Sequence, residues 1–512
     1  MSLKGAILRI LGLASETWQT KLMFRLLSKL GQMPNVEFTS LGVMDFFQMV
    51  HRVPTLNEFD IPKNMEIRTQ DDMYKSWQAL NEDPNELKRI DFSLWEAINC
   101  RERTLSEIEK GNALTNQWER EQYWLPFTKY WEKRVLSDTI LWCEKYLDEF
   151  KPDIVISLER YELAQSIMYE LCKTRNIKFL TFITSRIGNR WIARTDFGYG
   201  ASDETIDEIE RVSLNSKAIY EAQELAVALR NQLSGVYTST AYKETLKSKD
   251  MRRRTLFYLK SDLRKLAGDI YSRHVLGPKK MTIRVVRFGE NQKNFTFLKL
   301  KKLFKKYLHA CGFGLWGSKR LPDKPYFLWA LHARPEASVL VLGDGRDEML
   351  ELKRILELLP SNHLLAVKEN PEMFGMRMKK FYSNLKKEKR IFLVDPYADT
   401  HEFVKASSGV VGISGTVLLE AALFGKPVCA LGHPEFESCL AYHGWDSVKD
   451  FFLDYKVNSL KTDDKSIIKY LAYVLSKSRI EDVPYDSDLN SPMMELMISR
   501  FSVEVYQLLI VK

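Results

Sequence analysis

The stretch GVVGISGTVLLEAALFGKPVCALG, residues 409–432, decides the fold class of this chain. Its first apolar run meets Ser-Gly-Thr, and the residues from Thr416 onward predict a helix that ends at Gly425, where Pro427 prevents continuation. A second apolar run follows at 428–432. This strand–turn–helix–strand order is typical of one unit of a parallel sheet with crossover helices.

The same alternation extends back to the segment LPDKPYFL, which has the composition of a linker that starts a new domain. Strands are predicted at 326–331, 363–369, 390–395, 409–414 and 428–432, and helices at 347–359, 373–387, 400–407 and 416–425. This order predicts a doubly wound α/β domain, which binds ligands at the carboxyl ends of its strands.

The first half of the chain alternates in the same way, with longer helical segments between the strands. Strands are predicted at 5–13, 36–43, 153–160 and 178–184, and helices at 15–32, 161–176 and 204–275, with an inserted helical layer at 66–150. An amphipathic helix at 491–511 would fit against either half. We therefore expect two Rossmann-like doubly wound domains that face a cleft, with extra helical insertions in the N-terminal half.

Length and composition agree with this organisation. A chain of 512 residues is too long for one hydrophobic core. We predict an N-terminal domain with helical and basic insertions at 1–320, a C-terminal domain at 321–485, and a C-terminal amphipathic helix at 486–512.

The cysteines and the hydropathy indicate the compartment. The six cysteines lie far apart with no C-x-x-C spacing, which is typical of a reducing environment and argues against a zinc site. No segment has the roughly 18 apolar residues that a transmembrane helix requires. These features predict a cytoplasmic protein.

One segment makes the whole chain basic. Residues 243–324 contain 23 Lys and Arg but only 6 Asp and Glu, whereas the chain as a whole carries a net charge of +9. Contact with an anionic membrane surface at the inner face of the cytoplasmic membrane, or with an anionic acceptor, is one interpretation. A set of solvated helices is the other. No nucleic-acid-binding motif accompanies the charge, so we expect no nucleic-acid partner.

The turn Ser414-Gly415-Thr416 is the first candidate site. Backbone N–H groups in the first turn of the helix, from Gly415 to Leu418, are expected to be free and to attract a phosphate. Glu420 lies one turn further on the same face, where it could accept hydrogen bonds from ribose hydroxyls. The structural alternative is that Ser or Thr only caps the helix and that Glu420 is solvated.

Two further candidates follow neighbouring strands of this domain. Lys368 and Asn370 leave the second strand, where a surface ion pair of Lys368 with Glu369 is an equally good explanation. Asp399 and Glu402 form a D-x-x-E capping box. In the loop before that helix, Pro396 and Tyr397 could pack against a nucleotide base.

Polar residues also follow the first strand of the C-terminal domain. His332, Arg334 and Glu336 lie there, and His332 is a natural proton carrier near neutral pH. Arg334 suits a phosphate or a carboxylate.

In the N-terminal half, Glu159 and Arg160 leave a buried strand, and Glu159 is a candidate general base for a sugar hydroxyl. An Arg–Glu surface pair is the alternative. Arg186, Asn189 and Arg190 follow the next strand and could line the acceptor side.

Four motifs in a fixed order, HARPEAS, VKENP, LVDPYAD and SGTVLLEAALFGKPV, resemble the bacterial capsule and surface polysaccharide biosynthesis proteins. Those are GT-B glycosyltransferase-like proteins related to the Kdo transferases of capsule export. The resemblance covers about 325–440 well and 153–194 more loosely. One departure is Asn370, which stands where the family usually has His and cannot carry its charge; Arg334 could supply the missing charge.

The resemblance implies a nucleotide-sugar donor held by the C-terminal domain and a glycan or glycolipid acceptor held by the N-terminal one. Donor-binding residues would be Lys368, Asn370, Pro396, Tyr397, Ser414, Gly415, Thr416 and Glu420. From the positions of the residues rather than from the resemblance, we expect Glu159, His332 and Arg334 to be catalytic and Arg160, Arg186 and Arg190 to face the acceptor.

These expectations amount to a glycosyltransferase of GT-B type that needs no metal and no cofactor. A UDP-sugar 2-epimerase with the same two domains is one alternative, and a non-catalytic scaffold of a polysaccharide assembly complex is another. A polyol-phosphate polymerase is a third. The donor sugar, the base, the acceptor, the oligomeric state and the stereochemical outcome are not determined by the sequence.

Overall fold

The computed structural model describes 8–14, 17–43, 60–69, 129–158, 163–185, 187, 190–195, 203–212, 217–231, 263–264, 267, 304, 317–332, 348–370, 379–396, 398–460, 464–480 and 491–510. The predicted site residues Glu159, Arg160, Arg186, Asn189, Arg334, Glu336 and Tyr397 lie outside these ranges, as does nearly all of the basic segment before residue 317. Contact of that segment with an anionic membrane therefore stays a prediction. Among the described helices, none combines the length and apolar character needed to cross a bilayer.

The first half of the chain forms a seven-stranded sheet, called sheet 1. Its elements from this half are β1 Leu8–Ala14, α1 Thr17–Leu30, β2 Val36–Val43, β3 Met65–Thr69, α2 Lys129–Phe150, β4 Ile154–Leu158, α3 Leu163–Thr174, β5 Lys178–Thr184 and β6 Trp191–Arg194. Two further helices follow, α4 Asp203–Arg211 and α5 Lys217–Asn231.

The second half forms a six-stranded sheet, called sheet 2. Its elements are β7 Tyr326–Ala330, α6 Glu348–Leu358, β8 Leu364–Lys368, α7 Lys379–Lys387, β9 Ile391–Val394, α8 Thr400–Ala406, β10 Gly409–Gly412, α9 Thr416–Leu423, β11 Val428–Ala430 and β12 Tyr442–His443. Then come α10 Ser447–Lys456, α11 Asp464–Lys477, β13 Ser478–Ile480 and α12 Pro492–Ile510.

In both sheets the chain adds strands first on one side of a central pair of strands and then on the other. Sheet 2 has the order β12-β11-β10-β7-β8-β9, and all its neighbouring strands pair in parallel. Sheet 1 has the order β13-β6-β5-β4-β1-β2-β3, in which β6 pairs antiparallel with both β5 and β13 and all other neighbours pair in parallel. The predicted fold class, an α/β chain with two Rossmann-like doubly wound sheets, is confirmed.

Burial explains why these segments became strands and helices. All five side chains of β4, IVISL, are buried, as expected for a strand covered by helices on both faces. In α1 the residues Leu22, Leu26, Leu27 and Leu30 are fully buried, so its apolar stripe faces the sheet.

Several elements differ from the sequence-based expectations. The strand β3 lies within the segment predicted to be an entirely helical layer, 66–150, and only its first residue, Met65, is buried. A short, half-exposed edge strand gives no apolar run, so its pattern is weak. The strands β6, β12 and β13 and the helices α10 and α11 were not predicted either.

The C-terminal helix α12 packs on sheet 1, which settles a point that the sequence left open. The Phe501 ring stacks on Phe182 of β5 with ring centroids 3.9 Å apart and lies edge-on to Trp191 at 5.8 Å. Just before α12, β13 pairs antiparallel with β6 as the last strand of sheet 1. The chain therefore returns to its first sheet after it has built the second.

Side chains of the two halves also share a core. The helix α5 packs against α9 and α11 of the second half, and the Arg230 guanidinium donates to the carbonyl of Leu423. On α11, Lys477 pairs with Glu208 of α4 at 2.6 Å. Helices that follow sheet 1 in the chain thus cover helices of sheet 2.

The aromatic stack of α12 makes a stability prediction. Truncation of Phe501, which is 1% exposed, should lower the free energy of unfolding by about 3–5 kcal/mol, because Phe501→Ala leaves a cavity between α12 and sheet 1. Val503 lies on the same helix but is 49% exposed, so Val503→Ala should change it by less than about 0.5 kcal/mol. Urea denaturation of both variants measures the difference, and equal effects would contradict the packing described.

Candidate functional site

The carboxyl edge of sheet 2 contains the predicted donor-binding residues. The chain proceeds from β7 to β8 and β9 on one side and then to β10, β11 and β12 on the other. The crevice between β7 and β10 is thus a topological switch point, where α/β sheets bind ligands. His332 follows β7 by two residues, and Ser414 follows β10 by two residues.

The turn after β10 has the conformation that the sequence predicts. The helix α9 begins at Thr416, and its N-cap residue is Gly415, which has no side chain. The alternative that Ser414 or Thr416 serves as the N-cap is therefore wrong. Ser414 is fully buried, whereas Gly415 and Thr416 are half-buried.

The set of free amides is smaller than expected. The Leu418 N–H donates to the carbonyl of Gly415 at 3.0 Å, so it is engaged within the first turn. The prediction that the N–H groups from Gly415 to Leu418 are all free is therefore wrong for Leu418. A first turn tightened in this way is common at helix ends.

The end of α9 is also as predicted. Gly425 has φ +68°, and the amides of Gly425 and Lys426 donate to the carbonyls of Ala422 and Ala421. This is a Schellman cap, which requires a left-handed residue and so favours glycine. The Lys426 amine donates to the carbonyl of Ser407 at 2.9 Å, so it links the end of α9 to the end of α8.

His332 lies directly against the turn. A Cβ atom placed on Gly415 would be 3.2 Å from Nε2 of His332, so no larger residue fits there without a shift of the ring. On its other side, Nδ1 of His332 is 3.3 Å from Oε1 of Glu348, which also accepts the His332 backbone N–H at 2.9 Å. Glu348, the first residue of α6, is buried. The ring is therefore held between a carboxylate and the glycine of the turn.

Lys368 does not form the surface ion pair that the sequence allowed. Lys368 is buried at the end of β8, and its ammonium donates to the carbonyl of Pro396 at 2.8 Å. Glu369 is fully buried and accepts hydrogen bonds from Tyr382 Oη at 3.0 Å and from the Asn370 amide at 2.8 Å. Lys368 thus fixes the loop that carries Pro396, and Glu369 fixes the start of the Asn370 turn.

The environment of Lys368 changes its acidity. Burial lowers the pKa of Lys368 to about 8, although the charges of Asp395, Glu369, Asp399 and Glu420 act in the opposite direction. The desolvation of an ammonium outweighs four nearby carboxylates here. With a pKa of about 8 the amine is still mostly protonated near neutral pH, and it can donate a hydrogen bond in either protonation state.

Glu420 is buried and paired, so the alternative of a solvated side chain is wrong. It lies on α9, 9% exposed, with Oε2 3.3 Å from Nε2 of His401 on α8. The Asp399 side chain accepts the His401 amide N–H at 2.9 Å and caps α8, as the D-x-x-E pattern predicts. His401 was not identified from the sequence, because its partner comes from another helix.

The two sheets approach each other next to this edge. The Gly432 amide, at the end of β11, donates to the carbonyl of Ile413 at 2.9 Å, beside Ser414. The loop then leads to Phe436, whose ring lies against Tyr470 of α11, with centroids 6.0 Å apart. Tyr470 Oη donates to the carbonyl of Ser185 at 3.4 Å, just after β5 of sheet 1. The loops after β5 and β11 therefore meet through Tyr470.

On the sheet 1 side, one acceptor candidate is described. The Arg190 guanidinium donates to Ser478 Oγ at 3.4 Å, and its backbone carbonyl accepts the Ser185 amide N–H at 2.9 Å. Arg190 thus lies near the loop that Tyr470 contacts. Its role towards an acceptor stays a prediction, like those of Glu159, Arg160 and Arg186.

No metal-binding cluster is found in the part of the chain that the structure describes; there, no group of three or more His, Cys, Asp or Glu side chains could hold an ion. The site described above consists of a helix N-terminus, a buried histidine, a buried lysine and a paired carboxylate. Such a set suits an anionic ligand that carries hydroxyl groups.

Residues 289–444 match the family model described as capsule polysaccharide biosynthesis protein. The matched segment is less than a third of the chain and contains all four motifs, so the resemblance indicated by those motifs is confirmed. No relative among the curated proteins matches the chain.

Among solved structures, the chain is similar to a UDP-GlcNAc 2-epimerase from Neisseria meningitidis bound to UDP-GlcNAc, at 12% identity over 92% of this chain and 98% of that one, with a TM-score of 0.26. It is also similar to the beta Kdo 2,7 transferase of Thermosulfurimonas dismutans KpsC, at 12% identity over 71% and 89%, TM-score 0.29. The beta Kdo 2,4 transferase of that KpsC is 12% identical over 63% of this chain and 79% of that one, with a TM-score of 0.27. At these scores the likenesses carry no argument, and the fold rests on the strands and helices themselves.

The buried amine makes a prediction about stability and pH. The pKa of Lys368 is about 8 in the folded protein against an ordinary value of 10.5, so between these values the unfolded chain binds more protons. The folded state therefore gains stability as the pH rises through this window, with a slope of at most about 1.4 kcal/mol per pH unit. Lys368→Met should remove this gain.

Urea denaturation of the wild type and Lys368→Met between about pH 7 and about pH 10 measures the effect. Lys353→Met on α6, whose lysine is exposed, is the matched control and should follow the wild type. If Lys368→Met followed it as well, the burial of the amine would be contradicted.

Proposed function

We propose that this protein is a glycosyltransferase that transfers a sugar from a nucleotide-sugar donor to a bacterial surface polysaccharide or its lipid-linked acceptor. The observation that carries the proposal is the match of 289–444 to the capsule polysaccharide biosynthesis family, because the matched segment includes the switch point between β7 and β10. The chemistry of the residues at that point supports it.

The donor phosphates would bind at the turn Ser414–Thr416. Amides of the first turn of α9 carry partial positive charge, and Gly415 allows close approach to the backbone. His332 lies at the same turn with its Nε2 towards Gly415. As the sugar–phosphate bond breaks, negative charge develops on the leaving phosphate, and donors already in place stabilise it without reorganisation.

The ribose would lie over α9. Glu420 is one turn behind the phosphate position and is oriented by His401. Pro396, held by the Lys368 ammonium, would lie near the base. The acceptor would enter from sheet 1, where the loop after β5 meets the loop after β11 through Tyr470.

Activation of the acceptor is assigned to Glu159, which follows β4. The strand β4 pairs with β1 at the switch point of sheet 1, so its carboxyl end is where that sheet would bind a ligand. A carboxylate there would accept the proton of the attacking hydroxyl. We propose that the reaction takes place at the cytoplasmic side and needs neither a metal nor a cofactor.

A nucleotide screen tests the donor. The melting temperature should rise with one class among CMP-, UDP-, GDP- and CDP-sugars, because a ligand that binds only the folded state stabilises it. Gly415→Ala places a methyl group against His332 and should weaken that binding at least about tenfold. In Gly412→Ala the atom nearest the added Cβ belongs to Leu418, at an ordinary contact distance of 3.4 Å, so this control should bind like the wild type.

Absence of stabilisation by every nucleotide would overturn the transferase proposal. Conversion of a nucleotide sugar without an acceptor and without release of nucleotide would instead identify a 2-epimerase.

A genetic experiment separates catalysis from a scaffold role. The variant Ser414→Ala with Glu420→Ala should abolish surface polysaccharide production as completely as deletion does, because it removes the phosphate-turn hydroxyl and the ribose carboxylate together. Polysaccharide can be measured by immunoblot at matched protein levels. Normal production by the variant, with loss in the deletion strain, would show that the protein serves as a scaffold.

A further inference from the structure

The pair His401–Glu420 joins two helices at the donor edge of sheet 2. Its Nε2–Oε2 distance is 3.3 Å, and both side chains are almost fully buried. The His401 amide is bonded to Asp399, and its ring lies edge-on to Phe424 with centroids 5.4 Å apart. The ring therefore has a fixed place between the cap of α8 and the end of α9.

Three charged groups face the His401 ring. Glu420 comes from α9, Asp399 precedes α8, and Lys405 lies one turn further along α8 with its ammonium 4.7 Å from the centroid of the Phe424 ring. Burial opposes protonation of the ring, and so does Lys405, but the hydrogen bond and charge of Glu420 together with Asp399 raise the pKa of His401 above its ordinary value. Glu420 and Asp399 thus favour the protonated form of the ring, in which His401 and Glu420 form an ion pair.

Only one oxygen of Glu420 is engaged. Oε2 contacts His401, and Oε1 makes no hydrogen bond to any residue that the structure describes. A carboxylate can accept hydrogen bonds at both oxygens, so Oε1 retains its capacity for a ligand. Because His401 fixes the rotamer of the side chain, the direction of that remaining acceptor is fixed as well.

The charge of His401 matters for an anionic ligand. Glu420 lies one turn behind the turn Ser414–Thr416, where its negative charge would repel a phosphate. An imidazolium at 3.3 Å offsets this repulsion without removing the acceptor oxygen. A ribose hydroxyl and a phosphate can then bind within one helical turn of each other.

On the basis of the proposed function, we propose that His401 is a positioning residue: it holds Glu420 so that Oε1 accepts a hydrogen bond from the ribose of the nucleotide, and in its protonated form it offsets the negative charge of Glu420 next to the donor phosphates. His401 would thereby set the preference of the site for ribonucleotides.

The preference has a defined pH dependence. A group whose pKa is raised in the folded protein keeps its proton to a higher pH than usual and loses it as the pH rises through that raised value. When His401 becomes neutral, Glu420 repels the phosphates more strongly, and ribose recognition weakens. Deprotonation of Lys368 at a pKa of about 8 would affect nucleotides with and without ribose hydroxyls alike. The ratio of the two affinities therefore isolates His401.

Calorimetric titration with CMP and UDP, each against its 2′,3′-dideoxy counterpart, measures this ratio from about pH 7 to about pH 9, above the second pKa of the phosphate. In the wild type the ribonucleotide of the class that binds should be favoured about tenfold or more near pH 7, and the ratio should fall as the pH rises. His401→Gln keeps a donor to Glu420, so it should retain a preference that no longer changes with pH. His401→Phe should lose the preference.

His443→Gln is the matched control, because His443 is exposed on β12, and it should behave like the wild type. If His401→Phe bound nucleotides with an unchanged ribose preference, the positioning role would be overturned while the proposed function stood. A pH-independent ratio in the wild type would overturn the charge effect.

A second readout needs no nucleotide. In an NMR titration of the histidine ring protons, Glu420→Gln should lower the pKa of His401, since it removes the carboxylate charge. An unchanged pKa would show that the pair does not form in solution, which overturns the inference. Absence of binding by any nucleotide, with a normal His401 titration, would instead overturn the proposed function and the ribose role that rests on it.

Discussion

The parallel pairing of β7 with β8 on one side and with β10 on the other determines where this protein can hold a ligand. Parallel strands that are joined by crossover helices all end at the same edge, and the change of direction between β7 and β10 leaves a crevice there. His332 follows β7, Lys368 is the last residue of β8, and Ser414 follows β10. The parallel sheet thus brings residues that are up to 82 positions apart in the chain to the same edge.

The polar groups at this edge of sheet 2 have different partners. The Lys368 ammonium donates to the carbonyl of Pro396 and so fixes the Pro396 loop. An anion at the helix N-terminus would meet the amides of the first turn of α9, with His332 beside Gly415. The carboxylates of Asp395, Glu369, Asp399 and Glu420 lie around Lys368. They would repel an anionic ligand, so we expect such a ligand to approach from the N-terminus of α9. The turn after β10 is therefore the proposed position of an anionic ligand.

The sequence predicts well the features that depend on neighbours in the chain. The strand β4, the turn before α9, the stop at Gly425 and the cap at Asp399 follow from local apolar runs and from capping chemistry. Edge strands such as β3 are half-exposed and polar, so their stability comes from pairing partners that the local pattern does not show. The partners of His401 and His332, Glu420 and Glu348, come from other helices, and only tertiary packing brings them together. The direction of Lys368 likewise depends on a carbonyl 28 residues further on.

The return of the chain to sheet 1 has a consequence for biosynthesis. The residues 478–510 supply an edge strand and a covering helix to a sheet whose other strands are all made before residue 195. If sheet 1 formed before sheet 2 had been synthesised, the faces of Phe182 and Trp191 that Phe501 covers in the folded protein would be open to water. Such an incomplete sheet would expose apolar surface until residues 478–510 had been made, and exposed apolar surface of this kind promotes the aggregation of folding intermediates.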